Sequence, residues 1–119
     1  MKIRALFTVA IALTLPNPLC AADTRLSATI DERDLRRPCP EVLYQIQLEG
    51  ETDEQVGTAI MKLFYLENPG YIRSAVVNET DPAAWGIELA TSFVQYCEQR
   101  PVVTASTAVK LTIVFLENR

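Results

Sequence analysis

Two cysteines, Cys39 and Cys97, constrain the fold of this 119-residue chain more than any other feature. In an oxidising compartment their natural state is a disulfide. The chain-entropy model gives about 4 kcal/mol for closing a loop of about 58 residues, which is a large part of the stability of a small domain. Two free, buried thiols are the alternative, so the prediction depends on where the protein is located.

The first 22 residues have the pattern of a secretory signal peptide. Lys2 and Arg4 precede an apolar run from Ala5 to Leu15, which is shorter than the roughly 20 residues of a membrane span. A signal peptide of this kind predicts export to the periplasm, while a retained membrane anchor is the alternative.

The end of this segment indicates where it is removed. Pro16-Asn17-Pro18 breaks any helix, and Cys20-Ala21-Ala22 provides small residues, so we expect cleavage between Ala22 and Asp23. Cys20 is assigned to the removed peptide because Leu19 and the residues before it do not fit the small residues that precede a lipid-modified cysteine. The mature chain then has two cysteines and about 97 residues, enough for one domain.

The charge balance of the mature chain limits its partners. Without Lys2 and Arg4, the mature chain contains nine Lys and Arg residues and fifteen Asp and Glu residues, so its net charge is −6. Nucleic acid and anionic membrane surfaces would repel such a protein, so neither is an expected partner.

The composition also argues against an enzyme. There is no histidine, and a disulfide would occupy both mature cysteines, which removes the commonest general base and the thiolate nucleophile. The serines match no nucleophile-elbow pattern, and four glycines form no phosphate-binding loop. We therefore expect no catalytic site, no cofactor and no metal.

The mature chain divides into a polar N-terminal arm, residues 23–38, and a helical domain, residues 39–119. The arm is highly charged and its apolar residues have no sustained period. The first helix is predicted to begin at Cys39, because Pro40 suits the first helical position, and to end at Gly50.

The second helix is predicted to begin at Thr52 and end at Asn68-Pro69-Gly70. The Thr52 hydroxyl is expected to cap the amide of Gln55 while the Gln55 side chain reaches back. Apolar residues recur at the spacing of a helix that buries one face, namely Val56, Ala59, Ile60, Leu63 and Phe64.

The third helix is predicted to begin at Asp81-Pro82, with the aspartate as cap, and to stop before Pro101. Its apolar residues follow at intervals of four and are Trp85, Leu89, Phe93 and Cys97. The disulfide would then join the first helix to the third. The pattern does not decide the state of residues 71–77.

The last segment, residues 102–116, fits either a strand or a helix. Apolar residues alternate from Val109 to Phe115, yet Val109, Ile113 and Leu116 also share a helical face. A lone strand would have no partner, so we favour a helix capped by Ser106 or Thr107. The predicted fold is therefore all-α, with about four helices and one disulfide.

This arrangement resembles the HdeA/HdeB family of periplasmic acid-stress chaperones, especially HdeB. The resemblance covers most of residues 39–101. It is carried by Cys39-Pro40-Glu41-Val42-Leu43, the apolar helix from Ala59 to Leu66, Asn78-Glu79-Thr80-Asp81, and Tyr96-Cys97 followed by Pro101. The chain departs from the family in its apolar rather than lysine-rich C-terminal segment.

The resemblance implies a homodimer at neutral pH that opens below about pH 3 and binds unfolding periplasmic proteins. Fifteen carboxylates would lose most of their charge between about pH 5 and pH 2, moving the net charge from −6 towards about +9. The expected client or dimer surface consists of Val56, Ile60, Leu63, Phe64, Tyr65 and Trp85.

A second resemblance points to a different class of function. Gly70-Tyr71-Ile72 and the segment from Tyr96 to Pro101 are similar to the amidase immunity proteins of type VI secretion, which are also small, exported and disulfide-bonded. That resemblance implies an inhibitor of one specific hydrolase. A structural subunit that uses the apolar C-terminal segment as an interface is a third alternative.

Overall fold

A computed structural model describes residues 29–119, and five α-helices form most of this part of the chain. The helices are α1 (Cys39–Glu49), α2 (Asp53–Glu67), α3 (Pro69–Asn78), α4 (Pro82–Gln99) and α5 (Ala105–Glu117), preceded by a 3-10 helix at Glu32–Arg36. The expected all-α fold is confirmed. The predicted signal peptide and its cleavage site at Ala22 and Asp23 lie outside the described residues.

The prediction of about four helices was wrong, because residues 69–78 form a helix of their own. Asn68 ends α2, where its N–H donates to the Phe64 carbonyl at 2.8 Å. The same residue begins α3, where its side-chain oxygen accepts from the Tyr71 N–H at 3.1 Å. Pro69 then occupies the first position of α3. The pair Asn68-Pro69 therefore both ends α2 and begins α3. Consequently the disulfide joins the first helix to the fourth, and not to the third.

The predicted helix starts are otherwise close to those observed. Thr52 caps α2 by accepting from the Gln55 N–H at 3.1 Å, and the Gln55 side chain reaches back to the N–H of Glu51 at 2.7 Å. The donor, the Glu51 N–H, lies one residue before the N-cap N–H that donates in a standard capping box. Asp81 caps α4 by accepting from the Ala84 N–H at 3.2 Å.

The last segment is a helix, as favoured, but its cap differs from the prediction. The side chain of Thr104 accepts from the Thr107 N–H at 3.2 Å, so neither Ser106 nor Thr107 is the cap. The buried residues Val109, Ile113 and Leu116 share one helical face, which explains why the helical period is the correct one.

The core lies among all five helices. The α4 residues Trp85, Leu89, Phe93 and Cys97 are each at most 1% exposed, and the Phe93 ring meets that of Phe64 edge to face at 5.5 Å. From the predicted arm, Ile30 and Leu35 are also buried in this core. Helix α5 packs against α4, α2, α1 and the 3-10 helix, so it covers the core from one side.

Candidate functional site

The residues predicted as a client or dimer surface lie almost entirely inside the folded domain. Five of the six are at most 7% exposed, namely Val56, Ile60, Leu63, Phe64 and Trp85. Tyr65 is half-buried, and the Arg73 guanidinium lies 5.8 Å from its ring centroid. These side chains can contact another protein only after a helix moves away from them.

The disulfide defines which helices are covalently held. Cys39 and Cys97 are bonded and fully buried, with their Cα atoms 5.2 Å apart. The closed loop joins the first residue of α1 to the last turn of α4, so it contains α2 and α3. Helix α5 follows Cys97 and lies outside this covalent frame.

The N-terminal end of α5 is fastened by uncharged contacts next to the disulfide. The Cys39 N–H donates to the Val103 carbonyl at 2.8 Å, and the Ala105 N–H donates to the Arg37 carbonyl at 2.9 Å. Backbone groups of this kind do not titrate between pH 2 and pH 7. This end of α5 therefore has an attachment that acid does not remove directly.

A carboxylate of α2 holds the first turns of α5. The Glu67 side chain, 17% exposed, accepts a hydrogen bond from the Ser106 hydroxyl at 2.7 Å. Its second oxygen lies 3.7 Å from the Lys110 ammonium. Charge-assisted contacts of this kind weaken when the carboxylate is protonated.

Two more carboxylates hold the chain just after α5. The Nε atom of Arg119 lies 2.8 Å from Glu88 on α4, and its Nη2 atom lies 3.7 Å from Glu79, which follows α3. Arg119 also donates to the Leu116 carbonyl. Acidic side chains of other elements therefore contact α5 or its flanking residues at both of its ends.

An aromatic pair lies on the same side as this second contact. The Trp85 indole N–H donates to the Tyr71 hydroxyl at 3.2 Å, and their ring centroids are 6.2 Å apart. Burial raises the pKa of Tyr71 above its ordinary value of 10.0; the hydrogen bond from Trp85 acts in the opposite direction, and the nearby carboxylates of Glu117 and Glu79 raise the pKa further. The phenol is thus neutral at neutral and acidic pH, and this hydrogen bond does not itself respond to acid.

A third group of charges fastens the 3-10 helix to α1. Arg37 pairs with Asp34 at 2.9 Å and donates to the side chain of Gln45 at 2.7 Å. Nearby, hydrogen bonds from the Arg33 side chain and N–H hold the pKa of Asp31 below its ordinary value of 3.8. Asp31 caps the 3-10 helix, so this cap depends on a charged carboxylate.

The contacts of Glu67 and Arg119 were not predicted from the sequence. One signal was available, because Glu67 occupies the last turn of α2, where the helix dipole disfavours an anion. An acidic residue in that place is a candidate for a stabilising contact with another element. Nothing in the sequence pairs Arg119 with Glu79 or Glu88, since that contact depends on how α5 packs on α4.

Two further features bear on the chemistry of the described part of the chain. Among residues 29–119, no cluster of three or more His, Cys, Asp or Glu side chains is arranged to hold a metal ion. Over the same range, none of the helices combines the length and apolar character that a membrane crossing requires.

Comparison with models of protein families, with characterised proteins and with solved structures found no match to this chain. A functional hypothesis therefore depends on the contacts described above.

Proposed function

We propose that the protein is an acid-activated chaperone of the periplasm, in which α5 separates from the disulfide-held frame at low pH. The observation that supports this most strongly is the position of α5. It covers the core from outside the covalent loop, and carboxylates of other elements contact its first turns and Arg119, just after its end. The resemblance to the HdeA/HdeB family predicted from motifs over most of residues 39–101 agrees with this class of function, although the comparisons with known proteins add no support to it.

Acid removes the charged contacts of α5 while leaving the basic partners charged. Protonated Glu67 no longer pairs with Lys110, and protonated Glu88 no longer pairs with Arg119. Each of these partly exposed pairs contributes about 0.2–1 kcal/mol, a small part of the roughly 5–15 kcal/mol that stabilises a domain. Their loss therefore weakens α5 without unfolding the protein.

The overall charge supplies the rest of the driving force. The mature chain would change from −6 towards about +9, and a net charge far from zero destabilises a compact state by self-repulsion. We infer that the helix outside the disulfide-closed loop opens first. In this fold that helix is α5, while the Cys39–Cys97 bond keeps α1 close to α4.

Separation of α5 would expose apolar side chains on α2 and α4. Helix α5 packs on both of these helices. Of the predicted surface, α2 carries Val56, Ile60, Leu63 and Phe64, and α4 carries Trp85. An exposed apolar patch of several hundred Å² is typical of surfaces that bind other proteins. Unfolding periplasmic proteins at low pH are therefore the proposed clients.

The expected homodimer at neutral pH stays a prediction. Most of the proposed stripe is buried in the folded domain, so a dimer would need other apolar side chains. Tyr44 and Leu48, one turn apart on α1, are 67% and 68% exposed, and Val114 on α5 is 56% exposed.

The proposal is tested by the aggregation of an unrelated acid-labile protein at pH 2 to 3 and on return to neutral pH. We expect residues 23–119 to suppress aggregation at low pH and to have no effect at pH 7. The control is an equal mass of a disulfide-bonded helical protein of another function. Absence of suppression at every pH, with the domain still folded in acid, would contradict the proposal and favour a dedicated partner such as a hydrolase.

A pair of variants connects this activity to α5. Glu67→Gln combined with Glu88→Gln removes both carboxylate charges at all pH values, so suppression of aggregation should begin at a higher pH than in the native chain. Glu54→Gln combined with Glu98→Gln is the matched control, because both are exposed acids without an ion pair to any described residue. An equal shift in both proteins would show that α5 is not the element that responds to acid.

A further inference from the structure

A shallow groove of about 210 Å³ lies on the surface where α4 meets α5. It is lined by Ser92, Gln95, Tyr96, Gln99, Arg100 and Phe115. Sites for small molecules are usually about 300–1,000 Å³, so this groove is small for a cofactor. Its size suits one or two side chains of another polypeptide.

The groove carries positive charge on an acidic protein. The Arg100 guanidinium lies over the Tyr96 ring, 5.7 Å from the centroid. Within residues 29–119 it forms no ion pair, and none of the lining residues is acidic. The ring orients the guanidinium without neutralising it, so a carboxylate of a partner has a positioned cation to bind.

The wall of the groove contains one nearly buried serine. Ser92 is 7% exposed and lines the groove. A serine hydroxyl can both donate and accept a hydrogen bond. Ser92 therefore adds a polar group that a bound molecule can contact.

Aromatic and amide groups complete the surface. Phe115 is 45% exposed at one side of the groove, and Val114 beside it in the sequence is 56% exposed. Gln95 and Gln99 are one turn apart on α4 and both exposed, a spacing that allows their amides to hydrogen-bond an extended backbone. The groove therefore has an apolar side formed by Phe115 of α5 and a polar, positively charged side formed by α4 and Arg100.

We propose that this groove binds a segment of another protein in which an aromatic or aliphatic side chain is flanked by Asp or Glu. The apolar side chain contacts Phe115 and Tyr96, and the carboxylate pairs with Arg100. Charge complementarity selects the acidic segment, because a basic one would meet Arg100 with no acidic residue in the lining. This surface is separate from the stripe beneath α5 and is available in the folded domain at neutral pH.

The experiment uses three end-blocked hexapeptides containing one Phe flanked by Glu, by Gln or by Lys. Their binding to residues 23–119 at pH 7 is measured by fluorescence anisotropy, and the site is located by NMR shifts of Ser92 and Gln95. We expect the Glu peptide to bind about fivefold to tenfold more tightly than the Gln peptide, with the Lys peptide weakest. Equal binding of all three, or none at millimolar concentration, would overturn the proposal.

Variants test the assignment to the groove. Arg100→Gln should remove the tighter binding of the Glu peptide relative to the Gln peptide, and Phe115→Ala should lower the affinity for all three peptides. Arg36→Gln is the matched control, because Arg36 is an exposed arginine outside the groove with no ion pair to any described residue. All three positions are exposed, so each variant should keep its thermal melting temperature.

Two further outcomes would contradict the proposal. An equal loss of affinity in Arg36→Gln would show that only general charge matters. Tighter binding of a peptide with a free C-terminal carboxylate and no acidic side chain would show that the groove binds chain ends, which also contradicts the proposal.

Discussion

Arg119 Nε lies 2.8 Å from a carboxylate oxygen of Glu88, a contact that joins the chain just after α5 to α4. Both side chains are about one third exposed, so the pair is only partly screened by water. Arg119→Gln should lower the free energy of unfolding by about 0.2–1 kcal/mol at pH 7, the range for an exposed ion pair. Chemical denaturation of the mature domain measures this difference.

The pH dependence of that effect identifies its origin. Near pH 2 the carboxylates are protonated, so Arg119→Gln and the native chain should differ little. Arg36→Gln serves as control, with no change expected at either pH. A loss of stability at pH 2 as large as that at pH 7 would mean that Arg119 acts through packing and not through its charge.

The disulfide should contribute a large part of the stability. Reduction, or the double variant Cys39→Ser with Cys97→Ser, opens a loop of about 58 residues and should lower the free energy of unfolding by about 4 kcal/mol. Urea denaturation with and without reductant measures this value in the native chain. Identical midpoints under both conditions would contradict the pairing of these two cysteines.

The stripe on α2 should behave as core in the folded state. Phe64 is fully buried against Phe93, so Phe64→Ala should destabilise the domain by about 3–5 kcal/mol. Leu48 on α1 is 68% exposed, and Leu48→Ala should change stability by less than about 0.5 kcal/mol. A similar decrease in the free energy of unfolding in both variants would show that α2 does not pack as described.

Local signals in the sequence predicted most of the helix boundaries but not the number of helices. The starts of α2 and α4 depend on one capping side chain each, Thr52 and Asp81, and such caps are visible in sequence. The boundary at Asn68 was missed as a start because proline and glycine together normally indicate a turn. Here the Asn68 side chain caps the next helix, which the composition of the turn does not reveal.

The candidate site was less predictable than the fold. The apolar stripe was visible from its period, but period alone cannot show whether a helix face meets the core or a partner. The contacts of Glu67 with Ser106 and Lys110 join residues about forty positions apart. They depend on the docking of α5, which is a tertiary property that no local pattern encodes.

The raised pKa of Tyr71 predicts a loss of stability at alkaline pH. The folded-state pKa of Tyr71 lies above the ordinary value of 10.0. The contribution of the neutral phenol to the free energy of unfolding is therefore fully present below about pH 10 and disappears as pH rises through the folded-state pKa. The midpoint of urea unfolding should therefore fall above pH 10. Fluorescence of Trp85, the only tryptophan, reports the transition.

Substitution separates Tyr71 from the other tyrosines. Tyr71→Phe should remove the part of the alkaline loss of stability that is due to Tyr71. At pH 7 it should lower the free energy of unfolding by about 1 kcal/mol, because the Trp85 N–H loses its acceptor. Tyr44→Phe is the control, since Tyr44 is 67% exposed. An alkaline loss that persists unchanged in Tyr71→Phe would contradict this assignment.

The separation of α5 is tested most directly by amide hydrogen exchange at pH 3 and pH 7, corrected for intrinsic rates and resolved by residue. We predict that at pH 3 the amides of Ala105–Glu117 lose protection while the central turns of α1 and α4, the two helices that the disulfide joins, keep theirs. At pH 7 both groups should be protected. Equal protection of α5 and α4 at pH 3, or simultaneous loss in every helix, would contradict the release of α5 from the disulfide-held frame.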